Sequence, residues 1–420
     1  MNYVRGLRCR ECSKQFPLEP ISGCDECFAP LEVFYDLTAL AAAVRPDDLA
    51  KRPANMWRYR ELLPFTAAES EGLAYLPVGG TPLLPAPRLA RELGVATLYI
   101  KNDAVNFPTL SFKDRVVAVA LNKARAFGFK IVACSSTGNL ANAVAAQAAA
   151  LGLEAYILTP ADLEAAKIAA TLVYGAKLLR FEGTYDQVNR LCTQIAQTRP
   201  WGIVNVNLRP YYAEGSKTVA YEIADQLGWR LPGAVIAPMA GGSLVTKLAK
   251  GFDELRQLDW AQGATRIYGA QATGCSPIST AVKRETDEIE PQRPHTIARS
   301  LAIGTPADGF HASRTIRATG GWAEDVSDPE IVEGMRMLAR SEGVFAETAG
   351  GVTVACARKL IRQGRLDPRS TLVLVITGNG LKTLDALVAD QPDSPVLAPR
   401  LSDFEAHLAA LEQVGAVSVA

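Results

Sequence analysis

The sequence predicts an α/β fold of two lobes, in which parallel-type sheets are flanked by helices. From Thr97 onward, short runs rich in β-branched residues alternate with longer helical patterns, as βαβ units require. In addition, 420 residues, of which 48% are hydrophobic, exceed what one ordinary core holds. We therefore expect a main region at 77–420 with a smaller lobe inserted at about 118–212, preceded by an N-terminal element at 1–37 and an arm at 38–76.

Four cysteines near the N-terminus, Cys9, Cys12, Cys24 and Cys27, are spaced C-x₂-C-x₁₁-C-x₂-C. Two such knuckles can present four thiolates tetrahedrally to Zn²⁺, which predicts a small zinc-ribbon-like element. A ribbon that keeps its shape without metal is the alternative. The role is structural in either case, because a closed four-thiolate site has no open coordination position. The other cysteines lie singly in apolar segments, and we expect buried free thiols at Cys134, Cys192, Cys275 and Cys356.

The arm at 38–76 contains three prolines and the large side chains of Met56, Trp57 and Tyr59. A surface linker rarely exposes such residues, so we expect the arm to pack on this subunit or on a second one. After the arm, eight runs predict strands: TLYIK, IVAC, AYILT, KLLRF, GIVNVN, AVIAPM, RIYGAQ and TLVLVIT. An amphipathic helix is predicted from Ser402 to Val414.

Charge and hydropathy narrow the classes of partner. Forty-four basic residues balance forty-four acidic ones, so no global field favours nucleic acid or an anionic membrane. The first fifteen residues lack the apolar core of a secretory signal, which predicts a cytoplasmic protein. The charge-free stretch 131–153 contains several hydroxyl and amide side chains, so it is interpreted as strand, loop and helix and not as a membrane span.

One lysine combines the position and the surroundings that aldehyde chemistry needs. Lys113 follows a Thr/Ser-rich turn and precedes the apolar helical run VVAVALNKA. A helix N-terminus disfavours positive charge, and an uncharged amine can act as a nucleophile or base. On spacing alone, a surface lysine at a helix start is the more common interpretation.

Three polar loops each follow a predicted strand. The segment from Ala240 to Leu244 is rich in small residues and precedes a helix, so its N–H groups can converge on a phosphate, although an ordinary tight turn is the alternative. The loop from Cys134 to Asn139 carries hydroxyls and an amide suited to a carboxylate, and the loop from Thr377 to Gly380 follows the last strong strand. Parallel sheets bind ligands at the carboxyl ends of their strands, so the three loops predict one site.

Six motifs together resemble those of the threonine synthases, which belong to the fold-type II, tryptophan-synthase-β-like family of pyridoxal-phosphate (PLP) enzymes. They are S-F-K-D-R, S-S-T-G-N, Y-A-E-G-S-K-T, A-G-G-S-L, E-T-A-G-G and T-G-N-G. The resemblance covers nearly the whole chain, including the cysteine-bearing N-terminus and the arm segment W-R-Y-R-E-L-L-P. It implies a two-lobed fold-type II enzyme with PLP as cofactor, active as a homodimer.

The resemblance also implies a role for each matching residue. Lys113 is the catalytic Schiff-base lysine, Asn139 contacts the 3′-oxygen of the cofactor, and Thr377 faces the pyridine nitrogen. Ser136 and Thr137 bind the substrate carboxylate. The cofactor phosphate is held by Ala240, Gly241, Gly242, Ser243 and Leu244.

The chain departs from the family pattern near the Y-A-E-G motif. Shorter threonine synthases have an arginine two residues before the Glu-Gly pair, where this chain has Tyr212. Arg209 and Lys217 flank this turn and are the best-placed basic residues for a substrate phosphate; a solvated surface role is the alternative for both. Phe107 stands where many relatives have asparagine before proline, so that asparagine's role is not transferred to Asn106.

The implied reaction converts O-phospho-L-homoserine and water into L-threonine and phosphate. Rivals with the same fold are a cysteate-synthase-like enzyme that uses phosphoserine and sulfite, and a threonine or serine dehydratase. A rival of another class is a catalytically silent zinc-ribbon interaction protein, against which the intact Lys113 argues.

Overall fold

The computed structural model describes residues 2–73, 76–136, 138–161, 165–183, 185–388 and 394–417. The chain forms two units, Met1–Thr383 and Leu384–Ala420. The second unit contains two helices, Asp385–Val388 and Leu401–Val417, and the second of them includes the helix predicted from Ser402. Within the described residues, none of the helices combines the length and the apolar character needed to cross a membrane.

The N-terminal element is an antiparallel sheet of three strands in the order β2-β1-β3, with the bounds β1 (Val4–Cys9), β2 (Gln15–Phe16) and β3 (Leu31–Tyr35). Alternate residues of β1 and β3 face the body of the protein, where Leu7 and Val33 are fully buried. The hydroxyl of Tyr35 donates to Glu214 Oε2 at 2.8 Å. The ribbon is therefore packed on the main body through both apolar and polar contacts.

The arm consists of short helices that pack against the same chain. Its elements are α1 (Leu37–Ala43), α2 (Pro46–Ala50), a 3₁₀ helix (Met56–Leu62) and α3 (Ala67–Glu71). The side chains of Met56, Trp57 and Tyr59 are buried, and the Tyr59 hydroxyl donates to Asp225 Oδ2 at 2.7 Å. Of the two packing modes left open by the sequence, the intrachain one accounts for these aromatic side chains.

Ten further strands form two sheets. Their bounds are β4 (Leu83–Pro85), β5 (Thr97–Asn102), β6 (Ile131–Ser135), β7 (Glu154–Pro160), β8 (Lys177–Phe181), β9 (Trp201–Ile203), β10 (Ala234–Pro238), β11 (Arg266–Ala272), β12 (Ala323–Val326) and β13 (Thr371–Ile376). One sheet has the order β12-β11-β10-β13-β5-β4 and is parallel except for β4, and the other is parallel with the order β8-β7-β6-β9. The second sheet lies between residues 131 and 203, inside the range proposed for the smaller lobe, whose bounds stay a prediction.

All eight predicted runs contain strands. Two strands of these sheets, β4 and β12, were not predicted from the sequence. β12 reads A-E-D-V and carries two acidic residues at the edge of its sheet, so it lacks an apolar run. β9 is shorter than predicted and ends at Ile203, because the Asn207 side chain accepts from the Ile203 N–H at 2.8 Å and turns the chain.

Helices cover the sheets and begin directly after several strands. Their bounds are α4 (Pro87–Leu93), α5 (Lys113–Ala126), α6 (Asn139–Leu151), α7 (Ala165–Leu172), α8 (Tyr185–Thr198), α9 (Arg209–Glu214), α10 (Lys217–Gln226), α11 (Ser243–Gln257), α12 (Pro277–Lys283), α13 (Gly309–Ala318), α14 (Asp328–Glu342) and α15 (Thr348–Arg362), with short 3₁₀ helices at Asp103–Val105, Arg299–Leu301 and Gly380–Lys382. α5, α6 and α11 each begin at a motif residue, which places those motifs at helix N-termini.

Candidate active site

Lys113 is the first residue of α5, and a carboxylate holds the turn before it. Asp114 Oδ2 accepts from the N–H groups of Thr109 at 3.0 Å and Ser111 at 3.4 Å, and Oδ1 accepts from the Thr109 hydroxyl at 2.8 Å. Burial raises the pKa of Asp114 to about 6. These local hydrogen bonds, all accepted by the Asp114 carboxylate at the start of α5, explain why the Thr/Ser-rich segment folds into a fixed turn.

The Lys113 amine is half-buried and donates to the hydroxyl of Tyr212 at 2.9 Å. Tyr212 lies on α9, and its ring centroid is 5.6 Å from Lys113 Nζ. A hydroxyl neighbour orients the amine by accepting its hydrogen bond. Lys113 is therefore held as an accessible amine.

A buried carboxylate joins two of the predicted cofactor contacts. Glu347 Oε2 accepts from Asn139 Nδ2 at 2.9 Å, and Glu347 Oε1 accepts from the Thr377 hydroxyl at 3.4 Å. Glu347 is only 2% exposed, and burial raises the pKa of its carboxyl above the usual value. Asn139 and Thr377, which are 238 positions apart in the sequence, thus share one acceptor.

Backbone hydrogen bonds attach the Thr377 loop to the Lys113 turn. The Phe112 N–H donates to the Thr377 carbonyl at 2.8 Å, and the Asn379 N–H donates to the Leu110 carbonyl at 3.1 Å. A Cβ at Gly378 would lie 2.5 Å from the Glu347 carboxyl carbon, so only glycine fits between the two loops. Lys113, Asn139 and Thr377 are therefore brought together at one site.

The loop from Ala240 to Leu244 connects β10 to α11 at the same edge of the sheet, because β10 is the parallel neighbour of β13. Gly242 has a φ of 93°, and a Cβ there would lie 2.9 Å from the Asp308 carbonyl oxygen. The first N–H groups of α11 have no intrahelical acceptor and sit at the positive end of the helix dipole. This geometry suits a phosphate.

These groups fit pyridoxal phosphate. The amine of Lys113 suits its aldehyde, the helix-start loop suits its phosphate, and Asn139 and Thr377 offer polar partners for the ring. Apart from the two chain neighbours of Gly241, none of the described residues comes within 4 Å of a Cβ built there, so the loop has room for a ligand at that point.

Comparison with known proteins agrees with this fit. Residues 74–378 match the family model described as pyridoxal-phosphate dependent enzyme. The chain is 36% identical over 383 residues to the threonine synthase of Methanocaldococcus jannaschii, covering 91% of this chain and 94% of that one. It is also 36% identical over 379 residues to the threonine synthase of Methanosarcina acetivorans, covering 90% and 92%. The chain belongs to the threonine synthase family of pyridoxal-phosphate dependent enzymes. The predicted family, fold and cofactor are thereby confirmed.

Among solved structures, the fold resembles that of the processed form of threonine deaminase isoform 2 from Solanum lycopersicum. The TM-score is 0.62 at 20% identity, over 86% of this chain and 87% of that one. At this identity the likeness concerns the fold alone, and it agrees with the predicted fold-type II architecture.

The predicted substrate-binding residues of this threonine synthase family member have different surroundings. Ser136 follows β6, and its hydroxyl accepts from the Gly138 N–H at 3.3 Å, beside Asn139. Thr137 lies outside the described residues. Arg209 begins α9, and its Nη2 is 3.1 Å from Asp308 Oδ2. The roles of these residues stay predictions.

Lys217 is a correction. The sequence predicts a substrate-phosphate role or a solvated surface role for Lys217, but its side chain is 0% exposed, and Nζ lies 2.6 Å from Glu214 Oε2 and 2.9 Å from Glu254 Oε2. A lysine placed on the inner face of α10 is stable only when carboxylates neutralise it. Lys217 therefore serves the buried packing of α9, α10 and α11, and we withdraw it from the substrate-binding set.

Two site residues, Glu347 and Tyr212, were not assigned from the sequence. Both lie within motifs of the threonine synthase family, E-T-A-G-G and Y-A-E-G-S-K-T. For Glu347 the available signal was an acidic residue at the start of an apolar helical run. Tyr212 was noted only as the residue that replaces an arginine, because nothing in the local sequence shows that its hydroxyl meets Lys113.

The Cys₄ cluster has the geometry of a zinc site. Cys9 and Cys27 have their sulfur atoms 3.3 Å apart, those of Cys12 and Cys24 are 3.6 Å apart, and all four lie within 4.8 Å of one another. Tetrahedral Zn–S bonds of about 2.3 Å require sulfurs roughly 3.8 Å apart, so the four thiolates fit Zn²⁺. All eight cysteines are free thiols, and the four outside the cluster are buried as predicted.

Replacing Glu347 by glutamine is expected to lower kcat/KM by the equivalent of about 1.5–3 kcal/mol of transition-state stabilisation, because Asn139 and Thr377 lose a charged acceptor.

The same substitution is expected to reduce the loss of folding stability that the buried Glu347 carboxyl causes as the pH rises. A carboxyl whose folded-state pKa is raised above its usual value of 4.5 contributes stability that is present below that value and is lost as the pH rises through the folded-state pKa. Urea unfolding against pH checks this: the wild type should lose stability over that window, and Glu347→Gln should lose less. An unchanged kcat/KM would contradict the positioning role.

Removal of metal is expected to lower the unfolding midpoint more than the turnover per folded, cofactor-saturated molecule, since a closed thiolate site supports folding and holds no substrate. Chelator titration with thermal unfolding measures the effect, and Cys12→Ser is the matched variant that should no longer respond to chelator. Protein purified under reducing conditions and found to contain no zinc would contradict the bound-metal form.

Proposed function

We propose that this protein converts O-phospho-L-homoserine and water into L-threonine and phosphate. The observation that carries the proposal is the 36% identity to threonine synthases along nine-tenths of the chain. The local geometry supports the proposal. Asn139 and Thr377, the candidate partners of the cofactor ring, share the Glu347 carboxylate, and the Lys113 amine is oriented by a hydrogen bond.

When bound, pyridoxal phosphate supplies an electron-withdrawing ring that stabilises negative charge at the substrate Cα. Lys113 then removes and returns protons at Cα and Cβ while the γ-phosphate leaves and water adds at Cβ. Tyr212 orients the lysine amine through the 2.9 Å hydrogen bond. Thr377 would present a neutral hydroxyl to the ring nitrogen, and Glu347 would hold Thr377 and the Asn139 amide in position.

The substrate has two anionic ends that need separate partners. Ser136, beside Asn139 at the end of β6, is proposed for the carboxylate. Arg209, one helical turn before Tyr212 on α9, is proposed for the γ-phosphate, because Tyr212 directs that face of α9 to Lys113.

Neutralising Arg209 tests the phosphate assignment. With pyridoxal phosphate at saturating concentration, Arg209→Gln is expected to lower kcat/KM for O-phospho-L-homoserine by the equivalent of about 1.5–3 kcal/mol, as for a lost charge-assisted hydrogen bond. Steady-state kinetics measure the effect, and the absorbance of bound cofactor checks the saturation. Unaltered kinetics would remove Arg209 from the site.

A substrate comparison tests the whole proposal. Phosphate release is measured from O-phospho-L-homoserine and from O-phospho-L-serine with sulfite, and ammonia release from L-threonine and L-serine. We expect threonine formation from O-phospho-L-homoserine to have the highest kcat/KM. A preference for phosphoserine with sulfite, or for deamination, would select the corresponding rival.

We further propose that the protein is a homodimer in the cytoplasm. Light scattering tests the oligomeric state, and cell fractionation tests the localisation.

A further inference from the structure

The two residues between Cys9 and Cys12 both reach the start of α13. Arg10 Nη1 lies 3.3 Å from Asp308 Oδ1. Glu11 Oε1 lies 3.6 Å from His311 Nδ1 and 3.5 Å from Arg314 Nη1. The knuckle therefore contacts a part of the chain almost 300 positions away, and the structural role assigned to the ribbon does not explain why it docks there.

Asp308 also holds the loop from Ala240 to Leu244. Its N–H donates to the Gly241 carbonyl at 2.9 Å. Its own carbonyl oxygen faces the place where Gly242 lacks a Cβ, at 2.9 Å, and accepts from the Ala312 N–H at 2.8 Å. A shift of Asp308 would therefore change the position of the two glycines of the loop.

The Arg10 contact is suited to fix Asp308. The two side chains are 15% and 11% exposed, so water competes only weakly with their ion pair. Asp308 Oδ2 is paired with Arg209 at 3.1 Å, so its carboxylate is held from two sides. Both arginines line one small cavity together with Asp308, Ser243 and Lys247. Ser243 is the first residue of α11, so this cavity reaches the helix start itself.

We propose that the knuckle from Cys9 to Cys12 positions the loop from Ala240 to Leu244. Arg10 is the positioning residue, and Asp308 connects it to the loop. This rests on the proposed role of the loop from Ala240 to Leu244 in holding the cofactor phosphate, but not on the identity of the substrate. The knuckle backbone holds Arg10, Arg10 holds Asp308, and Asp308 holds Gly241 and Gly242. Loosening the knuckle therefore weakens cofactor binding without touching the reacting atoms.

The test measures cofactor binding in the absence of substrate. Arg10→Ala is expected to raise the dissociation constant for pyridoxal phosphate by roughly 2- to 30-fold, the range of couplings carried through packed networks, and to shift the ³¹P resonance of the bound cofactor. Arg10→Lys, which keeps the charge, should recover part of the loss. Arg5→Ala is the matched control, because Arg5 lies on β1 of the same ribbon, is 52% exposed and pairs with Asp36 instead. Wild-type affinity and an unshifted resonance in Arg10→Ala would overturn the proposal.

Two further measurements separate the possible failures. Gly242→Ala should weaken cofactor binding whether or not the knuckle matters, because a Cβ there collides with Asp308; normal binding in that variant would refute the loop assignment instead. Removing zinc from the wild type should weaken cofactor binding, and the same treatment of Arg10→Ala should add little, since both act on one contact. Additive effects would contradict transmission through Arg10. If Arg10→Ala does not fold, Asp308→Asn gives the same readout from the other side of the pair.

Discussion

Lys113→Ala is expected to lower kcat by at least about 10³-fold, because the proposed mechanism gives one amine both the link to the cofactor and the proton transfers. Lys113 begins α5, and its Nζ donates to the Tyr212 hydroxyl. A tyrosine hydroxyl cannot take the place of the lysine amine. The variant should also lose the covalent link between cofactor and protein. Borohydride reduction followed by mass spectrometry detects that link directly, independently of turnover.

A second lysine offers a matched control for the link. Lys382 lies near the Glu347 carboxyl and is half-buried, and burial lowers the pKa of its amine. Lys382→Ala should keep the borohydride-reducible link, and Lys113→Ala should lose it. A link that persists at full activity in Lys113→Ala would refute the central assignment.

Arg115→Ala is expected to lower the free energy of unfolding by about 3–5 kcal/mol, the usual effect of breaking a buried ion pair. The Arg115 side chain is 0% exposed, with Nε 2.7 Å from Asp103 Oδ2 and Nη1 2.6 Å from Glu222 Oε1. Glu222 Oε2 also pairs with Lys101 Nζ at 2.6 Å. Removing the guanidinium takes the Arg115 cation away from the buried Asp103 carboxylate and leaves Glu222 with the Lys101 ion pair.

The same network predicts an acid-sensitive step. Arg115 and Lys101 outweigh the burial of Glu222 and lower its pKa from 4.5 to about 2. A depressed carboxyl pKa contributes stability above the unfolded-state value, and this stability is lost as the pH falls from about 4.5 towards 2. Urea unfolding at pH 7 and at pH 3 measures both effects, with Arg369→Ala as control because Arg369 is 87% exposed and pairs only with Asp367 among the described residues. An Arg115→Ala variant as stable as this control would refute the argument.

The parts of the protein that depend on short-range pattern were predictable from the sequence. The eight apolar runs contain strands because β-branched residues and strand-end turns are local signals. The start of α5 at Lys113 follows from the turn residues and the apolar run beside it. The ribbon follows from paired cysteine spacing, and the loop at Gly241 and Gly242 follows from small residues between a strand and a helix.

The tertiary structure alone decided which polar groups meet. Glu347 joins Asn139 and Thr377 because loops after β6 and β13 end at one place, and Lys217 is buried because carboxylates from α9 and α11 surround it. In the sequence a buried charge looks like an exposed one, since its partner can lie anywhere along the chain. The strand A-E-D-V of β12 likewise exists only through its pairing with β11. Local residue types determine the elements, whereas burial and charge pairing depend on long-range contacts that the fold has to form first.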